Sequence, residues 1–448
     1  MSIEIHPEAA KRLDELANQL LTKVVPEPPL MPAKERFRPD IYPVAHIPEQ
    51  DIIGELVEIR SVVDGSGQEV GRFFQQDNPR VGLVREGFRA LIDLARKFQK
   101  LEALRETTSF GFIMDTVFEW VEGKHKNTRP ERLTEYISKR TEEEIKDFEI
   151  WFPLHRTYLE FSFPMGPVVF RRITREMMDK CEARIPKPDP ETAKAFQLAF
   201  ARDRSAVQGC AAAATKIRAE RSKAMATARE QAESAVALLR FFSPANWTPK
   251  LRSYCALLGS ENVRQRTELF LEDNSIVTYS RGVLDQGAQW VLSNSYLASF
   301  PGLLDRLQAL SAAPNKTSFR QDLYDALLMY SKNSVAIEPA DKLVYILVGL
   351  ESMLLRDENE PLANNVGERL AFLIGESKEK RIAIKDNVVE IYRHRSGFIH
   401  HGRSIKDLDL LSTFMLNAWT CFNVLLVYMD RYQTKDQLIR LLEDRKMA

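Results

Sequence analysis

Histidines and arginines are concentrated in one short stretch near the end of the sequence. Three of the seven histidines fall within eight positions, and three arginines lie among or beside them: His394, His400, His401, Arg393, Arg395 and Arg403. Imidazole titrates near neutral pH and can transfer a proton, whereas a guanidinium group keeps its positive charge and binds phosphate or carboxylate oxygens in pairs. The stretch therefore has the side chains for acid–base chemistry on an anionic substrate.

The residues around this cluster have the spacing of an amphipathic helix. Apolar side chains at helical spacing fall on one face, at Val388, Ile391, Tyr392, Phe398 and Ile399. Arg395 lies seven residues after Val388 and so projects from the same face. Because an arginine cannot lose its charge, on a core-facing surface it needs a carboxylate, a phosphate or a second subunit. Gly402 is a suitable helix stop, which would leave the cluster at the end of the helix.

An upstream helix offers a carboxylate to this arginine. Glu351 shares one helical row with three apolar residues, Val344, Leu347 and Leu354. A carboxylate that is buried alone is costly or becomes protonated. We therefore expect Glu351 and Arg395 to face each other, with Glu351 orienting the guanidinium group. The alternative is that Glu351 reaches solvent at the edge of its helix.

The motif and its upstream helix resemble a known family. The segment Arg395-Ser396-Gly397-Phe398-Ile399-His400, followed by His401-Gly402, is similar to the Arg-x4-6-His signature of the HEPN superfamily of small α-helical domains. Together with Leu350-Glu351-Ser352, it most resembles the Apea-like HEPN branch, over residues 318–448. The resemblance implies an all-α bundle, a homodimer formed through that bundle and an endoribonuclease site.

RNA supplies its own nucleophile, the 2′-hydroxyl group, so cleavage without a metal needs a proton-transfer group and a cation that stabilises the phosphorane. Arg395 and His400 contain both parts, with His401 as an auxiliary imidazole and Glu351 as the residue that orients Arg395. The resemblance implies that the products are a 2′,3′-cyclic phosphate and a 5′-hydroxyl. The residues expected to contact the substrate are His394, Arg393, Arg403 and Ser396.

The spacing of the two catalytic candidates argues for a dimer. Residues five positions apart point about 140° away from each other on an α-helix. One chain therefore cannot easily direct Arg395 and His400 at the same phosphate, whereas two chains related by a twofold axis can form a composite site. This geometry agrees with the composite dimer sites that the family resemblance implies.

Other interpretations of the cluster stay open. Each histidine taken alone could be a surface or capping residue. The three together could bind a metal, but they lack further ligands at metal-binding spacing, so we expect neither a metal nor another cofactor. The motif could also belong to a catalytically silent HEPN module that binds RNA or protein as a scaffold.

Composition sets the broad class of the protein. The 448 residues are 44% hydrophobic, which allows several domains with their own cores. The 63 basic and 63 acidic residues balance, so the overall charge argues neither for nor against nucleic acid. Four widely spaced cysteines without a CxxC motif are typical of reduced thiols. Since no signal-peptide pattern is present and the apolar runs are far shorter than about 20 residues, we expect a cytoplasmic protein without a membrane segment.

We expect an α+β multidomain fold with three regions. Residues 1–186 form a mixed β/α domain with a proline-rich strap at 26–48. Residues 187–315 form a linking or regulatory region of long helices, a short β-hairpin and a further helix. Residues 318–448 form the helical bundle, in which helices are predicted at about 319–330, 339–356, 362–374, 379–401, 408–432 and 435–445.

Several segments before the bundle carry more specific predictions. Gly65-Ser66-Gly67 joins two strands, which favours a hairpin turn over a phosphate-binding loop. Aromatic and β-branched residues predict three short strands within 148–173. The alanine-rich stretch 191–242 predicts one long helix or a helical hairpin. A hairpin turn is also expected at 272–275.

Two features before the bundle could also contact RNA. Aromatic residues in 148–173 could stack on bases, although core packing is the favoured interpretation. The basic stretch 202–229 could follow phosphates, although a solvated helix face is favoured. The resemblance implies an antiviral defence or toxin-type effector that acts on single-stranded regions of tRNA or mRNA. The N-terminal region would then sense a trigger, such as a phage protein or a regulatory protein.

Overall fold

A computed structural model describes most of the chain. The described residues are 3–26, 61–64, 66–74, 81–184, 190–259, 265–272, 275–283, 290–312, 316–357, 359–401 and 405–447. Side chains are described for these residues except at 191–192, 265–272, 275–283 and 398–401. Most of the predicted proline-rich strap, together with Gly402 and Arg403, lies outside the described residues.

The chain divides into two units. Unit 1 contains residues 1–150, 178–206 and 216–228, and unit 2 contains residues 151–177, 207–215 and 229–448. Boundaries near 187 and 315, as expected from the sequence, do not coincide with this division. The reason is that one hydrophobic core of unit 2 includes residues from Leu154 to Leu442, so the bundle shares its core with upstream strands and helices.

Unit 1 opens with a helix and a small sheet. Its N-terminal elements are α1 (Pro7–Leu21), β1 (Val25–Pro26), β2 (Ser61–Val63), β3 (Glu69–Phe73), β4 (Val81–Val84), α2 (Glu86–Gln99), α3 (Glu102–Arg105), α4 (Phe110–His125) and α5 (Leu133–Glu144). The strands form an antiparallel sheet in the order β1-β4-β3-β2. The chain turns between β2 and β3 with Gly67 at a φ of 81°, which confirms the predicted hairpin.

Helical periodicity explains the core of unit 1. Every buried residue of α2 lies three or four positions from another buried residue: Gly87, Phe88, Leu91, Leu94, Ala95 and Phe98. This stripe packs with α1 and α4, whose side chains Ala17, Val117 and Trp120 are almost fully buried. The indole Nε1 of Trp120 donates a hydrogen bond to the carbonyl oxygen of Glu131, so that its polar atom is satisfied inside the core.

The central part of the chain alternates strands and helices. Its elements are β5 (Lys146–Pro153), β6 (Thr157–Leu159), β7 (Phe163–Met165), β8 (Val168–Arg172), α6 (Arg175–Glu182), α7 (Pro190–Val207), β9 (Ala211–Ala219), α8 (Arg221–Leu239), β10 (Gln265–Glu272), β11 (Ser275–Val283), β12 (Trp290–Leu292), α9 (Asn294–Ala298) and α10 (Leu303–Ala312). In unit 2, β7 pairs antiparallel with β8, and β12 pairs parallel with β6. β10 and β11 form the hairpin predicted around 272–275.

The strands of 146–172 number four, where the sequence predicted three. Their aromatic side chains mainly serve packing. Phe163 and Phe170 are buried with ring centroids 5.3 Å apart, and Phe152 and Phe161 pack against the same core. Core packing, the favoured interpretation, is therefore the role of Phe152, Phe161 and Phe163, whereas Trp151 is only partly buried and is not part of this core.

The prediction of continuous helix across 191–242 is wrong at its centre, where β9 lies. Residues 211–214 pair antiparallel with β8, and each is at most 4% exposed. Alanine favours helix only weakly, and in this position its small side chain lets the strand lie in a closely packed layer. Gly209, with a φ of 90°, ends the preceding helical stretch. The basic segment 202–229 is consequently split between α7, β9 and α8.

The C-terminal part is a helical bundle. Its helices are α11 (Ser318–Ser331), α12 (Pro339–Leu354), α13 (Leu362–Ile374), α14 (Lys378–His401), α15 (Leu408–Tyr428) and α16 (Lys435–Met447). The predicted helices are confirmed, with bounds that differ by at most a few residues. Their buried side chains, such as Leu347, Leu350, Phe414 and Phe422, belong to the core of unit 2. The chain is thus a mixed α/β protein with a C-terminal helical region.

Within the described ranges, α15 is the helix that is long and apolar enough to cross a membrane. In the structure, 44% of the apolar 18-residue window within this helix is buried. The face formed by Leu411, Phe414, Ala418, Phe422 and Leu425 packs in the core of unit 2, as the central helix of a bundle does.

Candidate functional site

Helix α14 carries the arginine and histidine motif. Ser377 accepts a hydrogen bond from the amide of Lys380 and so stabilises the start of the helix. Val388 and Ile391 are fully buried and Tyr392 is 9% exposed, which fixes the inner face of the helix. The backbone is helical through position 401, so Arg395 and His400 lie on one uninterrupted helix. The angular separation of about 140° therefore applies to them.

Helix α12 carries the carboxylate. It begins at Pro339, whose fixed φ suits the first helical position and which lacks an N–H that would remain unpaired there. Leu347, Leu350 and Leu354 are fully buried and hold the last turns against the core. Glu351 lies at the border of this apolar face, with its side chain 18% exposed.

The structure brings Glu351 and Arg395 together. Nη1 of Arg395 lies 3.7 Å from Oε1 of Glu351, and the arginine side chain is 26% exposed. This distance is within ion-pair range but too long for a hydrogen bond. The carboxylate instead accepts a hydrogen bond of 2.8 Å from the hydroxyl group of Tyr392. Tyr392 thereby fixes the carboxylate in front of the guanidinium group.

Electrostatics favour this arrangement. Burial, together with the neighbouring Glu351 carboxylate, raises the pKa of the Tyr392 phenol, which therefore stays protonated and keeps donating its hydrogen bond. The Nε atom of Arg395 is buried and has no hydrogen-bond partner among the described residues. A guanidinium group has five N–H donors, so Glu351 alone does not saturate Arg395. The arginine retains donors for an anion such as a phosphate.

The other predicted site residues have different surroundings. Arg393 is largely exposed, and its Nη1 lies 2.5 Å from Oε2 of Glu390. His394 has its Nε2 3.9 Å from Oε1 of the same carboxylate. Ser396 is exposed on the surface of the helix. The side chains of His400 and His401, like residue Arg403, lie outside the described part of the structure.

The described residues contain no group of three or more His, Cys, Asp or Glu side chains that could hold a metal ion. The chemistry that the described part of the site can supply is therefore ionic and hydrogen-bonding. Arg395 offers a partly exposed cation, while Glu351 and Tyr392 fix its position. The proton-transfer group of the hypothesis lies farther along the same helix, at His400.

Sequence reasoning missed the role of Tyr392, which it took for a core residue of the apolar face. Its position offered a signal, because a buried tyrosine hydroxyl needs a hydrogen-bond partner. Tyr392 stands three residues before Arg395, which places both on one side of the helix. The carboxylate expected opposite Arg395 was therefore also available to Tyr392.

The tyrosine and the carboxylate are expected to stabilise the fold jointly. Replacing Tyr392 by Phe removes one hydrogen bond to a charged acceptor and should lower the free energy of unfolding by about 1–2 kcal/mol. Glu351→Ala should cost a similar amount, because the phenol then loses its buried acceptor. Urea unfolding of the wild type, both single variants and the double variant should give a coupling free energy of about 1 kcal/mol.

The exposed carboxylate of Glu390 provides a matched control on helix α14. Because its partner Arg393 is solvated, Glu390→Ala should change stability by at most about 0.5 kcal/mol. If the costs of Tyr392→Phe and Glu351→Ala simply add in the double variant, the two side chains are not coupled in solution.

Comparisons with known proteins give this chain no relative from which a role could be transferred. No family model matches the sequence, and no curated protein and no solved structure shows a significant match to it.

Proposed function

We propose that this protein is a metal-independent endoribonuclease whose C-terminal bundle is a HEPN domain of the Apea-like type. Arg395 would stabilise the negative charge that develops on the phosphate, and His400 would transfer protons, with His401 as an auxiliary imidazole. Glu351 orients the arginine. His394, Arg393, Arg403 and Ser396 would line the path of the RNA.

One observation carries the proposal. Arg395 is partly exposed, lies against a carboxylate that a buried tyrosine holds in place, and still has unused donors in the described structure. A cation that served only to neutralise Glu351 would be expected to form a closer, two-fold hydrogen-bonded pair. Arg369 does form one: its Nη1 and Nη2 lie 2.5 Å and 2.9 Å from the two oxygens of Glu360. The contrast favours a functional role for Arg395.

The proposed reaction is an internal transfer within RNA. His400 accepts the proton of a 2′-hydroxyl group, and the 2′-oxygen attacks the adjacent phosphorus. The bond from phosphorus to the 5′-oxygen breaks, and that oxygen takes up a proton from an imidazolium group. The products are a 2′,3′-cyclic phosphate and a 5′-hydroxyl, and no electrons leave or enter. Arg395 would stabilise the phosphorane between attack and departure.

The separation of about 140° between Arg395 and His400 favours a homodimer, in which each phosphate meets the arginine of one chain and the histidine of the other. We further propose a cytoplasmic defence or toxin-type effector that cleaves single-stranded regions of tRNA or mRNA. Unit 1 would respond to a trigger, such as a phage protein or a regulatory protein of the cell.

Incubating the purified full chain with mixed RNA and a chelator tests this function. The expected result is cleavage that leaves 2′,3′-cyclic phosphate ends, identified by analysis of the end groups. Cleavage that stops on addition of chelator, or that leaves 3′-hydroxyl ends, would contradict the mechanism. Binding of RNA without cleavage, equally by the wild type and Arg395→Ala, would support the silent scaffold instead.

A further inference from the structure

Unit 2 contains a cleft that none of the described cleavage residues lines. Its volume is about 780 Å³, within the range of about 300–1,000 Å³ that is typical of small-molecule sites. Its walls come from residues 233–240, 252–257 and 328–345, the last of which run from the end of α11 to the start of α12. The start of α12 lies about 15 Å along the helix from Glu351, at 1.5 Å per residue. The cleft and the proposed RNA site are therefore separate.

Arg240 forms part of the wall of this cleft. It is only 8% exposed, and its buried Nε has no hydrogen-bond partner among the described residues. Nη1 makes one long hydrogen bond of 3.5 Å to the carbonyl oxygen of Cys255. A buried cation with so few acceptors is costly unless an anion compensates its charge. Burial lowers the pKa of the Arg240 guanidinium group, and the nearby Cys255 and Glu233 oppose this shift only in part.

The fold holds Arg240 in this position. The side-chain Nδ2 of Asn246, which is fully buried, donates hydrogen bonds to the carbonyl oxygens of Arg240, Phe241 and Ser243. Asn246 in turn accepts a hydrogen bond of 3.2 Å from Nδ2 of Asn333. The backbone that presents Arg240 to the cleft is thus fixed before any ligand binds, which reduces the entropic cost of binding.

Two further cations line the same cleft. Nε of Arg252 donates a hydrogen bond of 2.9 Å to the carbonyl oxygen of Val335, which anchors its side chain, and Lys332 is exposed. Burial, with a smaller contribution from the charge of Arg252, lowers the pKa of the nearby Lys342. The carboxylates that line the cleft are solvent-exposed, at Glu233, Glu338 and Asp341. The buried charge in this wall is positive.

The remaining lining residues include apolar ones, such as Val236, Leu257 and Leu328, beside a polar surface of similar extent. An apolar surface beside a buried guanidinium group suits a ligand with a compact hydrophobic or ring-shaped body and an anionic head. The planar guanidinium group of Arg240 can donate paired hydrogen bonds to phosphate oxygens, and it is the one cation of this lining that is buried.

We propose that this cleft binds a small organic phosphate, with the phosphate on Arg240 and the body of the ligand against the apolar wall. Arg252 and Lys332 add to the attraction. The exposed carboxylates leave room for hydroxyl or amino groups of the ligand at the solvent side.

Calorimetric titration of the full chain with phenyl phosphate tests this inference. Inorganic phosphate and benzyl alcohol serve as comparison ligands, since each has only one half of the proposed chemistry. Phenyl phosphate should bind most tightly, and Arg240→Met should weaken its binding about 10- to 100-fold because a charged hydrogen-bonding group is lost. The surface variant Arg431→Met, in the same unit, should bind as the wild type does.

A second variant guards against an effect of Arg240 on folding. Lys332 is exposed, so Lys332→Glu should fold normally and weaken phenyl phosphate binding about tenfold through charge reversal. The absence of binding to the wild type at millimolar ligand would overturn the inference. If Arg240→Met folds and binds phenyl phosphate as tightly as the wild type, the inference is also overturned. If Arg240→Met does not fold, wild-type affinity of Lys332→Glu would overturn it.

Discussion

Mixing equal amounts of two inactive variants, Arg395→Ala and His400→Ala, is expected to restore about a quarter of the wild-type RNA cleavage. Half of the dimers in a freely exchanging mixture contain one chain of each kind. In such a dimer, one composite site combines the intact arginine of one chain with the intact histidine of the other, and the second site lacks both. A site built within a single chain would not recover any activity on mixing.

Each variant alone should be strongly impaired. Loss of one transition-state donor typically costs about 10²–10³-fold in rate, so Arg395→Ala should fall by this factor. Loss of the proton-transfer group in His400→Ala should cost about 10²–10⁴-fold. Lys380→Ala is a suitable control, because this exposed residue lies on the same helix, about 22 Å along its axis from Arg395. It should cleave RNA at the wild-type rate.

The measurement is the initial rate of cleavage of one labelled RNA, with chelator present, before and after the variants have exchanged subunits. Near-wild-type activity of Arg395→Ala would remove the arginine from the mechanism. If both variants lose activity and the exchanged mixture does not recover it, the composite site is rejected. Arg395 and His400 would then still be needed for cleavage, but within one chain.

The helices of the bundle could be predicted from the sequence because the apolar residues that recur at helical spacing are the ones that the structure buries. In α12, Leu343, Leu347, Leu350 and Leu354 recur at helical spacing and are all buried. Proline at position 339 marks the start of this helix in the sequence and in the structure. Glu351 could be predicted as the acidic partner of Arg395, because each of these charges lies on an otherwise apolar helix face.

Strand β9 and the hydrogen bond between Tyr392 and Glu351 depend on contacts between residues that are far apart in the sequence. Ala211–Ala214 has the composition of a helix, but pairing with β8 determines its conformation. Tyr392 and Glu351 are separated by 41 positions in the chain, so their hydrogen bond follows from how α12 and α14 pack. Likewise, Arg240 lies between apolar residues in the sequence, but the small number of hydrogen-bond acceptors around it follows from the fold.

Lys342 should make the stability of the protein rise with pH in the alkaline range. This lysine is 1% exposed, on α12, and its Nζ donates hydrogen bonds to the carbonyl oxygens of Leu251 at 2.7 Å and Ala245 at 3.3 Å. The described residues include no carboxylate in an ion pair with it. Burial, with a smaller contribution from the charge of Arg252, lowers the pKa of Lys342 from 10.5 to about 8.

The direction of the pH effect follows from the two protonation states. Between pH 8 and 10.5 the unfolded chain still binds the lysine proton, whereas the folded chain has released it. The free energy of unfolding therefore rises with pH in this window, by up to about 1.4 kcal/mol per pH unit and about 3 kcal/mol in total. Below pH 8 both states are protonated, and the contribution is constant.

Urea unfolding of the wild type and Lys342→Met between pH 7 and 10.5 isolates this contribution. Tyrosine and cysteine groups also titrate in the range, but they are common to both proteins and cancel in the difference. Relative to Lys342→Met, the wild type should gain about 3 kcal/mol across the window. Lys380→Met, which removes an exposed lysine, should show no such trend. A difference that is flat with pH would mean that Lys342 keeps its proton when folded, so that the two carbonyl oxygens alone sustain a buried ammonium group.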